Sequence, residues 1–193
     1  MSLGKLVLLI GPSGVGKSVI LKKLRTRHPD YVFPRSATTR PRRPGEGNEL
    51  YHFITEEDFT QWIDEGKFLE WAQVHHGARY GTLLSEILPA IETGKTVVRE
   101  VDVQGFESIR IHPEFSGASP KHHLQTIFIL PENEEQLITR IKNRAPISDA
   151  ELKNRVSSMK QELATADHCD VRIRNIEGKL NVTIADVEKA IAK

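Results

Sequence analysis

The sequence predicts an α/β fold, a three-layer sandwich on a mainly parallel sheet. Three observations carry that expectation. The apolar run Leu6-Val7-Leu8-Leu9-Ile10 leads directly into Gly11-Pro12-Ser13-Gly14-Val15-Gly16-Lys17-Ser18, and a helical pattern follows. Strand-like and helix-like segments then alternate along the chain, the order that crossovers between parallel strands require. At 193 residues the chain can bury a full core in one domain and still carry a movable insert.

Taken in order, residues 5–10 form the first strand and 17–27 the first helix, which His28-Pro29-Asp30 ends. Residues 33–38 read as a short strand, 40–48 as a polar, proline-broken loop, and Tyr51-His52-Phe53-Ile54 as extended again. Thr55 begins a helix: it precedes Asp58 in a capping-box-like pattern, and Phe59, Trp62 and Ile63 supply a buried stripe up to Gly66. A strand over 68–74, a helix over 83–93 with Pro89 near its middle, and strands over 96–103 and 125–130 follow. The polar stretch 112–125 reads as an exposed loop. Helices over 134–143 and 149–164, a strand over 171–174 and a helix over 184–192 complete the chain.

Lys and Arg number 27 against 26 Asp and Glu, so no global basic field points to nucleic acid or an anionic membrane; any anion site must be local. Cys169 is the single cysteine and cannot form an internal disulfide. No apolar run reaches membrane-span length, and Met1-Ser2-Leu3-Gly4 has no basic segment before a signal core, so a cytoplasmic protein is expected. His112, His122 and His123 lack a Cys or carboxylate at ligand spacing and read as surface residues.

The spacing G-x-x-x-x-G-K-S has a physical meaning. A glycine-rich turn aims consecutive backbone N–H groups inward, and the next helix adds its positive N-terminal end, so a polyphosphate fits the nest. Gly11, Pro12, Ser13, Gly14, Val15, Gly16, Lys17 and Ser18 are thus the expected nucleoside-triphosphate-binding set. Lys17 would reach the outer phosphates, and Ser18 would offer its hydroxyl to a Mg²⁺ bridging two of them.

The acceptor is read elsewhere. Ser36-Ala37-Thr38-Thr39-Arg40-Pro41-Arg42-Arg43-Pro44-Gly45-Glu46, Tyr51-His52-Phe53, Phe68-Leu69-Glu70-Trp71-Ala72, Tyr80-Gly81-Thr82 and Val101-Asp102-Val103-Gln104-Gly105 occur in this order. With the glycine-rich loop, they closely resemble the guanylate kinases, enzymes of P-loop kinase type that phosphorylate GMP with ATP. The resemblance runs from Leu6 to about Asn175. It implies a core (1–34, 84–131 and 165–193), a GMP-binding insert (35–83) and a lid over ATP (132–164). GMP is the implied acceptor, with dGMP left open; neither nucleic acid nor membrane is an expected partner.

The residue types agree with that implication. Guanine presents N1–H and its 2-amino group side by side, and a carboxylate such as Glu70 accepts from both, while Ser36 and Thr82 complete the edge. Adenine would turn an acceptor toward the same carboxylate and leave polar groups unpaired. Two guanidinium forks, Arg40 and Arg43, with the phenols of Tyr51 and Tyr80 suit a phosphomonoester dianion. By resemblance all four hold the GMP 5′-phosphate, with Arg43 also near the group in transfer. Glu100 and Asp102 alternate along their strand and share a side; in the family this pair contacts the acceptor and the hydrated Mg²⁺ region. The resemblance makes Arg144 and Arg155 lid arginines that close on the triphosphate, gives Arg140 a supporting or merely capping place, and sets Asn175 near the adenine. Lys17, Arg43, Arg144 and Arg155 are the implied catalytic set.

Departures from the family pattern are Ala145-Pro146 after the first lid arginine, Arg99 ahead of the acidic pair, a short 47–51 loop and a long 112–125 loop. Two rival readings are a ribose bisphosphate kinase, which would have no use for Glu70 with Ser36 and Thr82, and a non-catalytic phosphopeptide-binding module of the same fold. The module typically lacks the loop lysine and the lid arginines.

Overall fold

The computed structural model describes residues 4–73, 77–144 and 148–193. Its strands are β1 (Lys5–Ile10), β2 (Ser36–Thr38), β3 (Tyr51–Phe53), β4 (Phe68–Gln73), β5 (Arg79–Leu83), β6 (Thr96–Glu100), β7 (His123–Pro131) and β8 (Val171–Asn175). The helices are α1 (Lys17–Arg27), α2 (Glu56–Asp64), α3 (Leu88–Glu92), α4 (Val103–Arg110), α5 (Glu134–Arg144), α6 (Asp149–Ala164) and α7 (Leu180–Ile191). The strands make two four-stranded sheets, of order β6-β1-β7-β8 and β3-β2-β5-β4. In the first, β7 and β8 run parallel, as a crossover fold requires.

The chain divides into two compact units: Met1–Leu6, Asp30–Val98 and Glu107–Leu124 form one, and Val7–Pro29, Arg99–Phe106 and Gln125–Lys193 the other. In the first unit, α2 covers one face of the β3-β2-β5-β4 sheet. Thr55 accepts the Asp58 N–H at 3.0 Å, the cap its position predicts. Phe59 of α2 is fully buried with Ala37, Phe68 and Leu83, and its ring stacks on Phe68 at 4.5 Å between centroids. In the second unit, Val7 through Ile10 and Ile127 through Ile129 are fully buried, together with Ile20 and Leu24 of α1 and Ile184 and Val187 of α7. Continuous apolar runs of this kind mark strands covered on both faces.

Local patterns placed β1 and α1 at their expected ends, while other elements differ from expectation. The 83–93 segment is a 3-10 turn at Leu84–Glu86 followed by α3, because Pro89 lies in the first turn of that short helix, where its missing N–H costs no bond. The strand expected over 96–103 stops at Glu100, and α4 follows where no helix was expected. Asp102 Oδ1 accepts the Gly105 N–H at 2.8 Å and so caps α4. β5 was recognised as a motif but not as a strand. α7 starts at Leu180, earlier than expected. Arg99 lies in β6, an edge strand of its sheet. Val74 and the Ala145-Pro146 departure lie outside the described residues.

Candidate active site

Each unit carries one of the residue clusters that the sequence singles out. In the second unit the glycine-rich loop connects β1 to α1. Gly11 has φ 145° and Gly16 φ 106°, and a Cβ at Gly11 would lie 2.5 Å from the Ile129 carbonyl oxygen, so the turn admits only glycine there. Val15 is fully buried and pins the loop from within. A cavity of about 700 Å³ opens beside the loop, lined by Ser13, Gly14, Gly16, Lys17, Ser18 and Val19 together with Glu100, Val101, Asp102 and Glu162.

The charges in that cavity are arranged around Lys17. Its ammonium donates to the carbonyls of Gly11 and Pro12, the latter at 3.2 Å. Burial lowers its pKa from the ordinary lysine value, and Glu100, Glu162 and Asp102 pull the other way. Ser18 Oγ donates to the Glu100 carboxylate at 2.9 and 3.0 Å. Glu162, from α6, accepts the Ser13 backbone N–H; burial and the nearby Asp102 carboxylate raise its pKa, against the opposing pull of Lys17. Arg140 of α5 donates to the Gly14 carbonyl at 3.2 Å and pairs with Glu177 at 2.7 Å.

In the first unit the cluster is set by sheet register. Tyr51 pairs with Ser36, Ser36 with Thr82, and Thr82 with Glu70, which puts one residue from each of the four strands in a single row. Tyr80, two residues before Thr82, shares that face by strand alternation. Phe68 and Glu70 would also share a face in a regular strand, yet Phe68 packs under α2. A one-residue bulge between them resolves the conflict: Phe68 pairs with Leu83 and Glu70 with Thr82. The Thr82 hydroxyl donates to the Glu70 carboxylate. Gly81 is needed on the opposite face, since a Cβ there would lie 2.6 Å from the Phe68 ring.

Arg40 lies across this row. Its guanidinium is 5.3 Å from the ring centroids of both Tyr51 and Phe53, and its Nε donates to the Tyr80 hydroxyl at 3.1 Å. The fork is held by Glu46 through two bonds of 3.0 and 2.7 Å, and the Arg43 backbone N–H adds a third to the same carboxylate at 3.0 Å. These bonds hold the Glu46 pKa down to about 2 and raise that of Arg40. The Arg43 side chain is exposed, whereas Arg42 lies 4.3 Å from the Phe53 ring centroid.

Thus Ser36, Arg40, Tyr51, Glu70, Tyr80 and Thr82 gather on the first unit's sheet, and the loop residues, Glu100 and Asp102 line one cavity in the second. Arg155 is elsewhere: it sits on an exposed face of α6, paired with Glu151 at 2.7 Å. Arg144 ends α5, and its side chain lies outside the described set. Asn175 is buried, with its amide on the Val15 carbonyl at 2.8 Å. Among the described residues, no group of three or more His, Cys, Asp or Glu is placed to hold a metal ion; His122 instead pairs with Glu114 at 3.4 Å. Sequence reasoning missed Glu46 and Glu162. Glu46 had a signal, an acid close behind three arginines, whereas Glu162 comes from a distant helix and had none.

Comparison with known proteins agrees with this geometry. The family model described as guanylate kinase matches residues 3–193. A guanylate kinase of a Nostoc species is 40% identical over 173 residues, covering 89% of this chain and 82% of that protein. One from Prochlorococcus marinus is 38% identical over 191 residues, covering 98% of each. A solved guanylate kinase from Anaplasma phagocytophilum superposes with a TM-score of 0.69 at 23% identity, covering 99% of this chain and 86% of that one, and so shares the fold.

Proposed function

This chain belongs to the guanylate kinase family, and on that premise we infer how its residues divide the transfer of a phosphoryl group from ATP to GMP. It is an ATP-dependent nucleoside monophosphate kinase. The observation that carries the assignment of roles is the row Tyr51, Ser36, Thr82, Glu70 across four strands. Glu70 accepts from guanine N1–H and the 2-amino group, with Ser36 and Thr82 as hydroxyl partners. Arg40, Tyr51, Tyr80 and Arg43 take the 5′-phosphate, and Glu46 fixes the Arg40 fork so that its one remaining N–H meets that phosphate.

The loop from Gly11 to Ser18 takes the ATP phosphates. Lys17 gives up its bonds to two loop carbonyls for the outer phosphate oxygens, where charge grows during transfer. Transfer between two phosphates needs no protein base; positioning and charge neutralisation suffice. Hard oxygen donors fit a magnesium ion here: the Ser18 hydroxyl already lies on the Glu100 carboxylate, and Asp102 lines the same cavity. When bound, Mg²⁺ neutralises the phosphate oxygens and holds them in one geometry. Glu100 and Asp102 would hold the ion from the acidic side of the cavity.

We assign 35–83 as the GMP-binding part, 132–164 as the lid and the remaining segments as core. The lid brings Arg155 and Arg144 to the triphosphate; Arg155 exchanges Glu151 for phosphate oxygens on closure. Cys169, buried and the single cysteine of the sequence, fits a reducing cytoplasm, and no described helix is long and apolar enough to cross a membrane.

A coupled ADP-release assay with GMP, dGMP, AMP, UMP, CMP and ribose bisphosphate tests the reading. ADP release driven by GMP, and none by AMP or the pyrimidines, is expected; comparable rates with AMP and GMP would sink the role given to Glu70.

A further inference from the structure

The phosphate loop is held from behind by two buried polar side chains. Asn175 ends β8 and is 6% exposed; Thr183, in the first turns of α7, is 2% exposed. The Asn175 amide nitrogen donates to the Val15 carbonyl at 2.8 Å, and its oxygen accepts the Thr183 hydroxyl at 3.1 Å. The two partners fix which end of the amide points where, since a carbonyl can only accept. Contact with the loop is close: a Cβ on Gly16 would lie 2.7 Å from the Asn175 amide nitrogen.

A trans peptide is planar, with its C=O and N–H pointing in opposite directions. Anchoring the Val15 carbonyl on Asn175 therefore turns the N–H of Gly16 the other way, and Gly16 lines the anion cavity. The loop's glycines leave that plane free to rotate, so the sequence of the loop alone does not set it. We propose that Asn175 and Thr183 are positioning residues for ATP: together they fix the peptide plane between Val15 and Gly16, and with it a donor aimed at the phosphates. This rests on the loop being the ATP phosphate site. It gives Asn175 a role that is independent of the adenine and extends the site to α7, which supplies no ligand contact of its own.

The test compares Thr183→Val, Thr183→Ser and Asn175→Ala with the unmodified enzyme, varying ATP and GMP separately and measuring inhibition by inorganic tripolyphosphate, which has no base. Thr183→Val is close to isosteric and removes only the hydroxyl. Thr183→Val and Asn175→Ala should raise KM for ATP and weaken tripolyphosphate inhibition by on the order of 10-fold, with KM for GMP unchanged, and Thr183→Ser should restore both. Unchanged tripolyphosphate inhibition in Thr183→Val and Asn175→Ala overturns the proposal. If ATP affinity nevertheless falls, Asn175 reads the base; if only the melting temperature falls, the pair merely packs. Tripolyphosphate failing to compete with ATP in the unmodified enzyme would overturn the phosphate-loop reading itself, and the brace with it.

Discussion

The two anion clusters are made of different material. The loop of the second unit offers backbone N–H groups and one lysine, while the sheet of the first unit offers side chains from four strands, brought into a row by register. Backbone donors recognise charge and curvature, which any triphosphate supplies. Side chains at fixed lateral spacing recognise the edge of one base. On the proposed roles, specificity belongs to the sheet and the bulk of charge stabilisation to the loop. Each cluster also holds a carboxylate, with opposite consequences: Glu46 is stabilised as an anion by Arg40, whereas Glu162 is disfavoured as one by burial near Asp102.

Lys17→Ala should give the largest effect, a fall in kcat on the order of 10³-fold. Because Lys17 bonds only to loop carbonyls, the melting temperature should move little. A variant keeping more than about a tenth of the rate would remove the loop from the chemistry. Glu70→Gln comes next: its amide turns a donor toward guanine and should raise KM for GMP by about 10²-fold while leaving KM for ATP unchanged. Equal losses for the two substrates would erase the contrast between sheet and loop.

Glu46→Gln sharpens it further. The amide keeps one acceptor for Arg40 but loses the charge, so KM for GMP should rise by about 10-fold at constant KM for ATP. An unchanged KM for GMP would mean that Tyr80, the Pro41 carbonyl and the rings suffice to position Arg40.

The smallest effect lies in the pH dependence of stability. Glu46, at about 2 in the folded chain against an ordinary 4.5, contributes stability that is present above pH 4.5 and lost as pH falls toward 2. Glu162 is shifted the other way, so its contribution is most favourable below pH 4.5 and declines as pH rises through its elevated pKa. Melting curves across pH should show Glu162→Gln slightly more stable than the parent at neutral pH and Glu46→Gln less stable. The reverse order would refute the charge environments described for both.

How much was legible follows the same division. The loop, β1 and α1 were readable because what they require is written in consecutive residues: apolar strand, glycines at left-handed positions, then a helix. The residue types of the acceptor site were readable as a pattern, but not their alignment, because register is fixed between strands. Arg79-Tyr80-Gly81-Thr82-Leu83 gave no strand signal, as its central glycine and polar neighbours make sense only beside Phe68 and Glu70. α4 was hidden by Gly105, a poor helix former, and is set by the Asp102 cap. Arg155 had its role inferred by resemblance, whereas its pairing with Glu151 is an i,i+4 spacing on the helix expected over 149–164 and was within reach of the sequence.

The bulge at Leu69 has a consequence for how this strand can change. It works as a half-period phase slip in a two-beat pattern, and every residue after it faces the way it does because of one inserted beat. Deleting Leu69 would remove the inserted beat and leave Phe68 and Glu70 consecutive, on opposite faces of a regular strand, with the Phe68–Leu83 and Glu70–Thr82 pairs kept; what is lost is the buried Leu69 side chain itself. A deletion of Leu69 should therefore keep the Thr82–Glu70 bond, whereas an insertion between Phe68 and Glu70 must be looped out or slip Glu70 along β5 and should be tolerated less.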